Sequence, residues 1–398
     1  MSPFRRTHPF RFAKPCLAGL KGANFPVRAP AAVLAVLLSV TGPARAAETQ
    51  AQPQRLLADI PCIATIRAGD ALLSGIHQGS LPHHIFFQRC DGLWMSLSYR
   101  NGSRRLQPIG TRYIPKFLAR RKPFAIPDAR VTVGRRNIRE AWLTRPTRRY
   151  DHAVLGDDIE AGGLAVSNDQ GRRIELILPE TEVFEDRMAR LVDLDGDGKD
   201  EVIVVHTYAD RGAALAVYAL TGRGKDERLV RLTESEPIGK ARRWLNPAAA
   251  ADFDGDGKKE IAWVETPHIG GTLKIARLEG AGRKRSLAVL ASKKGYSNHA
   301  AGSRELVQAV TFDWDGDGKN DIILPDAERK ALVAVALKEG RLVERARIPI
   351  GGIIDSPIIA ADLNRDGRGE ALLVTRDGLL LSFTPAGKKA DAASGKAQ

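Results

Sequence analysis

The stretch 191-LVDLDGDGKDEVIVV-205 places Asp193, Asp195, Asp197 and Glu201 within nine residues and then runs into Val202, Ile203, Val204 and Val205. The same order returns at 252-DFDGDGKKEIAWV-264, 313-DWDGDGKNDIIL-324 and 362-DLNRDGRGEALLV-374. Aligned on their first acid, the four stretches are 59, 61 and 49 residues apart. Periods near 50 residues point to solenoids or propellers, and the material between the acidic stretches decides which.

After Glu201 come 202-VIVVHTY-208, 213-AALAVYAL-220 and 228-RLVRLTES-235, each short, rich in β-formers and bounded by turn residues. The segment 188-MARLVDL-194 before the loop reads as another strand. Units beginning at 248 and 307 repeat the scheme, with four strands each and the acidic loop joining the first to the second. Helical periodicity is hard to find after residue 150. Four antiparallel strands repeated radially describe a propeller blade. Upstream, 152-HAVLGDDIEAGGLAVSN-168 with 173-RIELILP-179 reads as a blade whose acidic loop has decayed, and strand-like pieces continue back through 130–144 and 84–99. The expectation is an all-β β-propeller over 47–385, with four antiparallel strands per blade and seven blades, six being the alternative. Residues 47–150 hold divergent N-terminal blades and 151–385 the repeats. The last unit, begun at 358-IIAADL-363, is short of strands. It is expected to borrow one from the other terminus, which removes open edges. Residues 386–398 read as a disordered tail.

Each loop reads D-x-[DN]-x-D-G-x-x-[DE]. Acids at alternate positions converge when the chain curls, and the glycine at position six permits the turn. The candidate metal ligands are Asp193, Asp195, Asp197, Lys199 and Glu201; Asp252, Asp254, Asp256, Lys258 and Glu260; Asp313, Asp315, Asp317, Lys319 and Asp321; and Asp362, Asn364, Asp366, Arg368 and Glu370. The basic residue in each set offers its backbone carbonyl. Hard oxygen donors in this number suit Ca²⁺, so up to four structural calcium ions are expected, the fourth loop being the weakest because of Asn364 and Arg365. An EF-hand would need a bidentate acid at position twelve and flanking helices. Position twelve here is Val204, Trp263, Leu324 or Leu373.

The loop motif at this place in a strand pair resembles the FG-GAP/VCBS repeats of exported bacterial proteins and of integrin α-chain propellers, over about residues 150–385. The Phe-Gly and Gly-Ala-Pro signatures are absent. The resemblance implies a calcium-bound propeller used chiefly for binding and adhesion, and does not by itself imply an enzyme.

Residues 1–46 hold Arg5, Arg6, Arg11, Lys14, Lys21, Arg28 and Arg45 and no acid, and include the apolar run 31-AAVLAVLLSV-40. This reads as a Sec signal peptide cleaved after Ala46, with a periplasmic or secreted destination and no transmembrane segment in the mature chain. Cleavage takes the charge from 61 − 47 = +14 to 54 − 47 = +7. Cys62 and Cys90 then remain, as a disulfide or as two buried thiols.

Strand direction puts the approach to each first strand, and each second-to-third turn, on the face opposite the acidic loops. His206, Tyr208, Trp244, Asn246, His268, Asn298, His299 and Arg304 are the ligand candidates there. Residues 100–150 carry fifteen Arg or Lys against Asp128 and Glu140. That tract reads either as a solvated face or as a surface for an anionic glycan or envelope component. Nucleic acid is not expected of an exported chain without a reading motif. No GxSxG, HExxH, P-loop or Rossmann fingerprint occurs, and no catalytic residue is assigned. The function expected is an interaction or adhesion module with a protein or anionic glycan ligand. A polysaccharide lyase or hydrolase, and a purely structural envelope component, are the alternatives.

Overall fold

The computed structural model describes residues 53–60, 62–68, 81–109 and 122–385. The expected leader and tail lie outside these residues, as do Arg112, Lys116, Arg120 and Arg121 of the basic tract. The described residues contain no α-helix, only two single-turn 3-10 segments, Gly224–Asp226 and Gly282–Lys284. No helix among them is long and apolar enough to cross a membrane.

The strands group into antiparallel sets of four. The first holds β2 (Ile63–Ala68), β3 (His84–Arg89), β4 (Trp94–Arg100) and β5 (Ser103–Pro108). The second holds β6 (Thr132–Val133), β7 (Ile138–Thr147), β8 (Glu160–Asn168) and β9 (Arg173–Ile177). The third holds β11 (Arg190–Val192), β12 (Glu201–Tyr208), β13 (Gly212–Thr221) and β14 (Arg228–Glu234). The short β10 (Glu182–Phe184) pairs with both β8 and β12 and so joins the second set to the third. The fourth holds β15 (Leu245–Ala251), β16 (Glu260–Glu265), β17 (Thr272–Glu279) and β18 (Ser286–Lys294). The fifth holds β19 (Val310–Phe312), β20 (Asp321–Pro325), β21 (Ala331–Lys338) and β22 (Arg341–Pro349). The sixth holds β23 (Ile359–Ala361), β24 (Glu370–Val374) and β25 (Leu380–Phe383), and β1 (Gln54–Arg55) completes it: Gln54 pairs with Ser382 and Arg55 with Leu381.

The described strands thus make six sets where the spacing led to seven. The difference lies upstream. The pieces at 130–144 and at 160–177 looked like parts of two units, but β7 pairs with β8 and all four strands form one set. The earliest strand, β1, is spent on the last set.

The second strand of each loop-bearing set is apolar on both faces because it lies between two cores. Along β12, Val202 and Val204 enter the core shared with the second set, while Ile203 and Val205 enter the core shared with the fourth. Along β16, Ile261 and Trp263 point back to the third set, and Ala262 and Val264 point on to the fifth. Likewise Ala371 and Leu373 face the fifth set, and Leu372 and Val374 face the first. This is the two-residue period of a strand applied to a stack of sheets. Burying a side chain the size of Trp263, fully enclosed here, stabilises by roughly 3 kcal/mol. Cys62, beside β2, and Cys90, after β3, are joined as a disulfide across a separation of 28 residues.

Candidate functional site

The four acidic loops join β11 to β12, β15 to β16, β19 to β20 and β23 to β24, and one hydrogen-bond scheme recurs in all of them. The ninth-position acid accepts from the second-position N–H: Glu201 from Leu194 at 2.8 Å, Glu260 from Phe253 at 2.8 Å, Asp321 from Trp314 at 2.9 Å and Glu370 from Leu363 at 2.8 Å. The fifth-position Asp197, Asp256, Asp317 and Asp366 accept from the N–H of Lys199, Lys258, Lys319 and Arg368. The third-position side chains of Asp195, Asp254, Asp315 and Asn364 accept from the N–H of the fifth residue. Gly198, Gly257, Gly318 and Gly367 at position six all have φ between 84 and 88°, the left-handed region where a side chain is strained. Position four is also left-handed. It is glycine in three loops and Arg365, φ 63°, in the fourth.

Oxygens of Asp193, Asp195 and Asp197 lie within 4.8 Å of one another, as do those of Asp252, Asp254 and Glu260, and those of Asp313, Asp315 and Asp321. Burial, reinforced by the neighbouring aspartates, lifts Glu201, Asp321 and Glu370 to about 7 each. Glu260 is also raised by burial, with Arg277 pulling it back. One oxygen of the buried Asp193, Oδ1, has no hydrogen-bond partner. Oxygen donors crowded in this way fit a hard divalent cation. Neighbouring loops are tied to each other: Lys259 Nζ reaches the Asp193 carbonyl at 2.9 Å, and Lys319 Nζ the Asp254 carbonyl at 2.6 Å.

Basic side chains also enter the loops, from positions that the loop motif does not reveal. Arg277 of β17 touches Asp254, Asp256 and Glu260. Arg345 of β22 reaches Asp315 at 3.0 Å and Asp317 at 3.6 Å. Arg285 reaches Asp195 at 2.7 Å, and Arg136 lies 3.7 Å from Asp193.

At the opposite ends of the strands the eight ligand candidates separate into distinct groups. Trp244, His268 and His299 come together. Trp244 and His268 are stacked at 5.8 Å with 8° between their planes, and His268 Nε2 lies 2.8 Å from His299 Nδ1. His299 Nε2 lies 3.0 Å from the Ser303 carbonyl, so it must donate there. Its Nδ1 then accepts from His268 Nε2–H, which leaves His268 Nδ1 as a lone pair at the surface. Burial holds His268 down at about 4 and His299 at about 3, so both rings are neutral at pH 7. Asn246 and Asn298 do not line a binding face. They are fully buried and clasp the fourth set to the fifth, each amide donating to the other's backbone carbonyl at 3.0 and 3.1 Å. His206 is buried between Glu182 at 2.8 Å and Glu234 at 3.2 Å, and Tyr208 Oη donates to Glu234 at 2.6 Å. Arg304 pairs with Asp157 at 2.8 Å.

Two residues the sequence reading passed over stand beside this group. His152 Nδ1 lies 2.5 Å from Oε1 of the fully buried Glu185, and the other carboxyl oxygen of Glu185 accepts from Thr207 Oγ1 at 3.1 Å. The Glu185 carbonyl accepts from Trp244 Nε1–H at 2.9 Å, which links His152 to the stacked histidines. His152 opens the segment read as a decayed loop, which carries no motif of its own.

Most of the described basic residues of the tract are answered within the protein. Arg104 pairs with Asp59, Lys122 with Glu140, Arg130 with Glu305, Arg136 with Asp200, Arg145 with Glu175 and Arg148 with Asp158.

The FG-GAP-like repeat matches residues 193–263 and 313–373, which contain all four acidic loops entire. The chain carries FG-GAP-like repeats. Each match runs from one acidic loop through the following strands of its set, across the next acidic loop and into the strand after it, β16 in one case and β24 in the other. No curated protein matches the chain. Among solved structures, a Bacillus licheniformis rhamnogalacturonan lyase is similar at 14% identity and a TM-score of 0.38, over 81% of this chain and 68% of the lyase. The exotype rhamnogalacturonan lyase YesX is similar at 15% identity and a TM-score of 0.38, over 81% of this chain and 66% of its own.

Proposed function

We propose that this chain is an exported, calcium-binding propeller of six blades that acts as a binding module. Calcium fixes the loops on one face, and ligand is taken on the other. The observation that carries the calcium reading is the recurrence of one hydrogen-bond scheme, with a buried ninth acid, in all four loops. Such repetition is not needed of a solvated turn, and a cation offsets the repulsion of carboxylates held together. Pairing of β1 with β25 supports closure into a ring. A disulfide and the basic, apolar leader support export.

Because most of the described basic tract already faces carboxylates, the surface around His268 is the better ligand face. Its lone pair, fixed by the His299–Ser303 chain, suits the hydroxyls of a glycan or a protein donor. Elemental analysis of purified protein and melting in excess calcium or EDTA test the first part; absence of an alkaline-earth metal and identical melting curves reject it. Glycan-array binding of the wild type against His268→Ala tests the second. An unchanged binding pattern removes that face.

A second reading, an enzyme that cleaves a polysaccharide, has one observation in its favour: His152 is oriented by the buried Glu185, the arrangement of a proton acceptor. Release of reducing or unsaturated ends from a glycan, abolished in His152→Ala, supports it. Binding without turnover rejects it.

A further inference from the structure

We infer that the second acidic loop is closed by the guanidinium of Arg277 in place of a divalent ion, and that the first loop is the one that demands a metal. This rests on the calcium reading of the loops as a class and departs from it at one of them. Arg277 lies directly across from Glu260 in the β16–β17 register. Its Nη2 is 2.8 Å from Asp254 Oδ2 and its Nη1 2.9 Å from Asp256 Oδ2, while Nε donates to Glu260 Oε1 at 2.8 Å. The remaining oxygens are also taken. Asp252 accepts from Gly255 and Gly257, Asp254 Oδ1 from Asp256, Asp256 Oδ1 from Lys258, and Glu260 Oε2 from Phe253. Every carboxylate oxygen of the second loop therefore has a donor. A planar fork with five N–H groups suits such a set, and it stays charged at any physiological pH.

The other loops lack this arrangement. In the first, β13 carries no basic residue, Arg285 and Arg136 each reach a single metal-site acid, and the buried Asp193 Oδ1 has no partner. In the third, Arg345 reaches Asp315 and Asp317 but comes from the fourth strand and leaves Asp313 and Asp321 untouched. In the fourth, His83 is 3.8 Å from Asp362. A divalent ion entering the second loop would meet a cation already touching three of its four acids, and like charges that close repel strongly. Arg277 would have to swing out first. The second loop, complete in sequence, thus ranks below the fourth, which sequence alone marks as weakest.

Calcium stoichiometry of the mature chain, by equilibrium dialysis with elemental analysis, tests this. The wild type is expected to hold the same number of ions as Asp254→Asn and one more than Asp193→Asn. Arg277→Gln is expected to bind one ion more than the wild type, or to tighten one site at least tenfold, and to melt lower in EDTA with recovery in calcium. Loss of one ion in Asp254→Asn, or no gain in a folded Arg277→Gln, overturns the inference while leaving the calcium reading intact. The Asp254→Asn arm decides the matter if Arg277→Gln does not fold. Wild-type protein that binds no calcium overturns both.

Discussion

Under the calcium reading proposed above, removing the metal changes how pH acts on this protein. Without metal, Glu201, Asp321 and Glu370 titrate at about 7 each, against 4.5, 3.8 and 4.5 for the unperturbed groups. A carboxyl whose folded value is raised stabilises the folded state while it keeps its proton. That contribution is complete below about pH 4 and is lost as pH rises through 7. Moving one carboxyl from 4.5 to about 7 corresponds to about 3 kcal/mol, so three in separate loops come to about 10 kcal/mol. Exposed loops relax, and we take half, about 5 kcal/mol. The 308 described residues unfold with an entropy of about 0.7 kcal/mol/K, so this is about 7 °C of melting temperature. A divalent cation needs the ionised form of the same groups. The gap in melting temperature between excess calcium and EDTA is therefore small at pH 5 and widens to about 7 °C or more at pH 8. His268 and His299, at about 4 and about 3, act in the opposite sense: they withdraw stability as pH falls below about 6.5. They do so with or without calcium and cancel in the gap. Differential scanning calorimetry at steps between pH 5 and 8 measures it. A gap that is constant, or narrows as pH rises, refutes the argument.

Arg365→Gly replaces the one side chain that holds a left-handed position occupied by Gly196, Gly255 and Gly316 elsewhere; it is expected to gain about 0.5–1 kcal/mol in urea unfolding, and a loss rejects strain at that turn. Reducing the Cys62–Cys90 bond is expected to remove about 3 kcal/mol, seen as a lower denaturation midpoint with reductant; an unchanged midpoint shows that the loop is held by its strands alone. Asn246→Ala leaves the carbonyls of Asn298 and Leu306 without their donor and is expected to cost about 2–3 kcal/mol. A cost under about 0.5 kcal/mol means that water replaces the amide.

The acidic loops and most strands from residue 188 onward could be read from the chain because their signals are local: alternate acids, a glycine, then a β-branched run. What escaped depends on pairing. Arg277 is separated from Glu260 by a turn of variable length, and only the register of β16 on β17 brings them together. Asn246 and Asn298 sit where a ligand face was expected, yet each turns inward to the other's backbone, a direction no spacing reveals. His152 gains meaning only from Glu185, which arrives from beside β10. The grouping of the upstream strands was hidden for a related reason: without an acidic loop, nothing local shows that β7 belongs with β8.

The pairing of Gln54 with Ser382 also governs how the molecule comes to be made. The final sheet stays unfinished until the last strand has been synthesised, so in a nascent chain β1 waits without its partner β25, its hydrogen-bonding groups open to capture by a neighbouring copy. The same adjacency means that a circular permutant, its old ends stitched by a short linker and new ones opened in an exposed turn, would exchange the slowest contact of assembly for a local hairpin.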